Sequence, residues 1–134
     1  MPSSSSTPHR FLVIDENPDG RFLLRRALSG TFPNAAVIEC PSAETALRLL
    51  EAEPIAAILS HRTHEFDGAG LVRELRKINA SVPIVMVSGF DREKVAQEAG
   101  ATRFFNYDQW PRIGIFVSEL LAASALRGDA AVAT

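Results

Sequence analysis

Cysteine is nearly missing from this chain. Cys40 stands alone among 134 residues, so no internal disulfide can form and a reducing cytoplasm is the expected compartment. A bias of charge is missing as well. Fourteen basic residues against sixteen acidic ones give a net charge of −2 with no long run of either sign, which implies neither nucleic acid nor a membrane surface as partner. No apolar run approaches the roughly 20 residues that cross a bilayer. The opening Met1-Pro2-Ser3-Ser4-Ser5-Ser6-Thr7-Pro8 has no basic patch feeding an apolar stretch, and so does not read as a secretory signal. We read residues 1–9 as a disordered leader, 10–126 as one domain and 127–134 as a flexible tail rich in alanine.

Within the domain, two hydrophobic periods alternate. Short continuous apolar runs fall at Phe11–Ile14, Ala35–Ile38, Ile55–Leu59, Ile84–Val87 and around Phe104-Phe105. Runs of this kind fit strands covered on both faces. Between them lie segments of helical period. Phe22, Leu23, Ala27 and Leu28 mark the first, and Ala43, Ala46, Leu47 and Leu50, after a capping Ser42, mark the second. Leu71, Val72, Leu75 and Ile78 mark the third. Asp91 is placed to cap a short fourth that ends at Gly100, and Pro111 is placed to open a fifth carrying Ile113, Ile115, Phe116, Leu120 and Leu121. Five strand–helix pairs predict a doubly wound parallel sheet; right-handed crossovers allow the strand order 2-1-3-4-5, which is taken by analogy with such folds. Function in such a sheet gathers at the carboxyl ends of the strands. Here those ends are Asp15-Glu16, Ser60, Ser88 and, just beyond the fifth strand, Tyr107.

Phe11-Leu12-Val13-Ile14-Asp15-Glu16-Asn17-Pro18, then Asp67-Gly68, then Val82-Pro83-Ile84-Val85-Met86-Val87-Ser88-Gly89, then Gly100-Ala101 follow one another at a specific spacing. In that order they resemble the response-regulator receiver domain, over roughly residues 10–126. The resemblance implies a flavodoxin-like fold of five strand–helix units and a role in two-component signalling. It also implies a pocket in which an acidic pair and an acceptor aspartate hold magnesium, while a hydroxyl residue and a lysine grip the phosphoryl group. Carried over position by position, the acidic pair is Asp15 and Glu16 and the hydroxyl is Ser88. The acceptor position falls on Ser60 and the lysine position on Tyr107. No cationic residue stands between Phe104 and Pro111 to replace that lysine. Phe104 matches the aromatic whose rotamer reports the switch, and His64 stands where a proline is usual.

A serine hydroxyl needs a neighbouring base to act as a nucleophile, whereas a carboxylate is ionised at neutral pH. The expectation is therefore a pseudo-receiver: a stand-alone bacterial signalling protein that works without phosphorylation and is no enzyme. Its partner would be a histidine kinase or a downstream signalling protein, with homodimerisation through the face of the fourth helix, fifth strand and fifth helix. Trp110, Val117 and Leu121 are the interface candidates, and Tyr107 is expected to fill the lysine's space with its hydroxyl near Ser60 or Glu16. No cofactor is expected beyond weak magnesium, because two carboxylates leave the ion mostly hydrated. Two alternatives stay open. One is an unorthodox receiver that binds magnesium and takes phosphate on another residue. The other is a small hydrolase or metal enzyme built from Ser60, His61, His64, Asp15 and Glu16, with the last four as candidate metal ligands.

Overall fold

Each apolar run becomes a strand because its two side-chain rows have separate helical layers to bury against. The computed structural model describes residues 9–132, so residues 1–8 of the expected leader and the last two residues of the tail lie outside it. In chain order the elements are β1 Arg10–Ile14, α1 Pro18–Thr31, β2 Ala36–Cys40, α2 Ala43–Ala52, β3 Ala57–Ser60 and α3 Gly68–Ile78. Then come β4 Ile84–Ser88, α4 Glu93–Ala99, β5 Arg103–Asn106, a 3-10 segment Tyr107–Arg112 and α5 Ile113–Val132. The sheet is parallel, as the alternation predicts, and its order is the β2-β1-β3-β4-β5 expected by analogy.

The two rows separate cleanly. Leu12, Ile14, Ile58, Ile84 and Met86 face α2, α3 and α4, where Ala46, Leu50, Leu71, Leu75 and Ala96 meet them. Phe11, Val13, Leu59, Val85 and Val87 face α1 and α5, where Leu24, Leu28, Ile113, Val117 and Leu120 close the second layer. That double burial explains why β1 and β4 read as unbroken apolar runs. Register puts Ile14 beside both Cys40 and Ser60, and Ser60 beside Met86, so the ends of β1, β3 and β4 lie side by side.

The caps follow sequence in most places. Ser42 Oγ accepts from the Thr45 amide, Asp67 Oδ1 accepts from the Gly70 amide at 2.7 Å, and Gly100 ends α4 at φ 107°. Four details differ from expectation. Asp91 lies outside the helix, receiving the Glu93 amide at 3.3 Å, and α4 begins only at Glu93. Pro111 sits inside the 3-10 segment, which the Asn106 side chain caps through the Asp108 amide, and α5 starts at Ile113. Phe22 points outward and stacks on Arg25, because the inward face of α1 is Gly20, Leu24 and Leu28. Finally, α5 continues to Val132, beyond Arg127 where the tail was expected to begin.

Cys40 is fully buried at the end of β2, and burial pushes its thiol up to about 11. A raised folded pKa means that the protonated thiol stabilises the fold below the unfolded value of about 8.5, and that this contribution is lost as pH climbs through the folded value. Native protein should therefore resist thiol reagents at pH 7.5 and react promptly once unfolded in urea. A Cys40→Ala variant should lack the thiol's share of the alkaline loss of stability. Rapid labelling of the native protein would contradict this burial.

Candidate functional site

The acidic pair at the end of β1 divides. Asp15 turns inward and is only 1% exposed. Its Oδ1 accepts the Asn17 amide at 2.9 Å and lies 3.3 Å from His61 Nδ1. Glu16 turns outward to Arg62, whose Nε lies 3.4 Å from Oε2. Arg21, reaching back from the first turn of α1, donates to the Asp15 carbonyl at 2.7 Å and to the Glu16 carbonyl at 3.3 Å. The backbone here is tied to β2 and to the loop after β3, since the Asp15 amide donates to the Cys40 carbonyl and the Glu16 amide to the Arg62 carbonyl.

Ser60 closes β3 with no exposure, and its hydroxyl has no hydrogen-bond partner. No base stands on that oxygen, so the triad reading fails on geometry. Ser88 ends β4, and its Oγ accepts the Phe90 amide at 3.2 Å. Between these strand ends and the start of the 3-10 segment opens a cavity of about 430 Å³, whose wall includes His61, Arg62, Asp67, Ser88, Arg92 and Tyr107.

Tyr107 does not take the position expected of it. Its hydroxyl lies over Gly20 beside Asp15 rather than at Ser60 or Glu16, since a Cβ on Gly20 would overlap both the phenol oxygen and Asp15 Oδ2. Its ring meets the His61 ring edge-on at a centroid distance of 5.5 Å. Burial first, and then the charges of Asp15 and Asp19, raise the phenol's pKa, which keeps the hydroxyl protonated. Phe104 packs inward against the α3–α4 layer, in keeping with its lack of a hydroxyl.

The two histidines separate. His64 is exposed in the β3–α3 loop and lines a shallow depression with Glu16, whereas His61 belongs to the cavity. Among the described residues no three His, Cys, Asp or Glu side chains converge as metal ligands, so the site of Asp15, Glu16, His61 and His64 is not assembled. Magnesium fits poorly for the same reason. One carboxylate is occupied by His61, the other faces Arg62, and the third position carries the neutral Ser60 hydroxyl. The interface candidates also need correction. Val117 is fully buried, because Ile113, Val117 and Leu120 form the stripe of α5 that faces the sheet. Trp110 and Leu121 are half-buried against the same layer, and among the described side chains of α5 Ile115 is an exposed large apolar one, at 60%.

Three residues that shape the pocket carry no local sequence signal. Gly20 makes room for Tyr107, Arg21 grips the strand-end carbonyls, and Glu65 caps a distant helix. The Glu65 carboxylate receives the Ala43 and Glu44 amides at 3.0 and 3.2 Å, binding the β3–α3 loop to the start of α2. Those amides, Ala43 foremost, hold its pKa below the usual carboxylate value. A helix N-cap supplied from twenty residues away leaves no pattern in a local window.

The family model for the response regulator receiver domain matches residues 11–107, and the chain belongs to that family. It is thus a receiver domain of the two-component signalling class. Among solved structures it is similar to a CheY-like response regulator receiver domain protein from Methanospirillum hungatei JF-1, with 20% identity and a TM-score of 0.80, covering 91% of this chain and 100% of that one. The signal receiver domain of the putative response regulator NarL from Mycobacterium tuberculosis shares 24% identity at a TM-score of 0.75, with coverages of 87% and 98%. NtrX from Brucella abortus matches at 24% identity and a TM-score of 0.80, over 96% of this chain and 30% of that longer one. At these identities the likeness is one of fold. Comparison with curated proteins returned no match.

Proposed function

We propose that this receiver signals without accepting phosphate and passes its state on through protein contacts. The observation that carries the reading is Ser60. It stands at the acceptor position, fully buried, with a hydroxyl that no base touches. Tyr107 at the lysine position supports it, since a neutral phenol over Gly20 cannot supply the charge that steadies a phosphoryl group. In this reading the pocket is a pseudo-receiver pocket, locked by its own side chains and needing no cofactor.

Output then depends on surface. Phe90 at 75% exposure, Val95 at 38% and Ile115 at 60% leave apolar area on the β4–α4 loop, α4 and α5. That area suits a histidine kinase, a downstream signalling protein or a second copy of the chain. The deciding experiment is the intact mass of the wild-type protein after incubation with acetyl phosphate and magnesium, beside a conventional receiver that labels under the same conditions. The expected result is no phosphoryl adduct on this protein. A near-stoichiometric adduct would overturn the proposal and point to a different acceptor residue.

A further inference from the structure

We infer that the His61 imidazole occupies the Asp15 carboxylate and bars magnesium from the pocket even where an acceptor carboxylate is supplied. This rests on the phosphate-independent reading above and gives that reading a residue. A carboxylate as buried as Asp15 needs a donor or a cation against it. No Arg or Lys among the described residues pairs with the Asp15 carboxylate, because Arg21 is committed to backbone carbonyls and Arg62 to Glu16. His61 is the side chain that supplies the contact, at 3.3 Å from Oδ1.

Its ring is held from two directions. The His61 amide donates to the Ile14 carbonyl at 2.9 Å, which fixes the backbone at the β1–β3 seam. The Tyr107 ring abuts the imidazole on its other side, and Tyr107 is in turn seated over Gly20. Asp15, His61 and Tyr107 thus form one connected set, with the imidazole against the carboxylate and the phenol seated over Gly20. A hard divalent ion requires an open cluster of oxygen ligands. Here the first of those oxygens already faces a ring nitrogen. Replacing Ser60 with aspartate adds a carboxylate at the neighbouring strand end but leaves that imidazole in place, so His61 is a positioning residue whose effect is exclusion.

The test compares magnesium binding by calorimetry in Ser60→Asp and in Ser60→Asp/His61→Ala, both of which keep Tyr107, each first shown to be folded by circular dichroism. Removing His61 should strengthen magnesium binding by about tenfold or more. Acetyl-phosphate labelling should rise with it, and free imidazole should weaken the gain. Should Ser60→Asp fail to fold, the wild-type protein with and without His61→Ala gives the same comparison of binding. Equal magnesium affinity with and without His61 would overturn the inference. Labelling of the wild-type protein would instead sink phosphate independence, and the magnesium comparison would still decide the role of His61.

Discussion

Arg76→Ala should lower the unfolding free energy by about 3 kcal/mol in urea denaturation, a loss set by charge-assisted bonds to acceptors that the fold leaves half-buried. From the last turn of α3, Arg76 Nε donates to the Gly100 carbonyl at 2.7 Å, where α4 ends. Nη1 donates to the Val82 carbonyl at 2.6 Å and to Asn79 at 3.3 Å, in the turn leading to β4. Nη2 reaches Thr102 Oγ1 at 3.0 Å, and that hydroxyl oxygen also accepts the Ile84 amide. One guanidinium therefore joins the ends of two helices to the starts of β4 and β5. Burial lowers its pKa, though an arginine so far above neutrality remains charged. Truncation would leave three carbonyls without this donor and remove the stem packed near Gly100. Lysine should recover only a part, because a single ammonium cannot span a fork of four acceptors. A change within about 0.5 kcal/mol of wild type would mean that water replaces the network at no cost, and this account of Arg76 would fail.

Arg76 also shows where reading the sequence reaches its limit. Leu71, Val72 and Leu75 announce the buried face of α3 through their spacing, and the structure buries all three. Asp67 and Ser42 announce helix starts because a cap is a local event, complete within three residues. The strand ends are legible for a similar reason: an apolar run stops where the sheet does, so Asp15, Ser60 and Ser88 all fall at its carboxyl edge. The residues that decide how this edge behaves have no such spacing. His61 meets Asp15 across forty-six positions and Glu65 reaches Ala43 across twenty-two, distances that only the completed crossovers bring together. In α5 the apolar positions are too many to name the buried stripe. Val117 was read as a surface candidate and Ile115 as part of the stripe, while the sheet fixes the opposite choice. Phe22 misleads in the same way, its bulk suggesting a core position that Leu24 occupies.

Gly20→Ala should destabilise the protein by about 2 kcal/mol, the cost of forcing a methyl group into filled space. The sign is what makes the experiment informative. Glycine in a helix costs roughly 0.5–1 kcal/mol relative to alanine, so the same substitution at an unconstrained helical site would stabilise. The backbone offers no reason for a penalty, because Gly100 is the glycine held at positive φ and Gly20 is ordinary helix. Space supplies the reason: a Cβ at Gly20 would overlap the Tyr107 hydroxyl and Asp15 Oδ2. Asp15 cannot withdraw easily, held as it is by the Asn17 amide and His61. Tyr107 must yield, and with it the edge contact to His61. In a Tyr107→Ala background the glycine substitution should therefore cost about 1 kcal/mol less than in wild type, a coupling of the size found between residues in contact. The remaining penalty would belong to Asp15. If Gly20→Ala proved neutral or stabilising, the phenol would not be seated over α1 in solution, and the pocket would lack the clasp that holds His61 on Asp15. A penalty that vanishes with Tyr107 would instead tie the first turn of α1 to the state of the pocket.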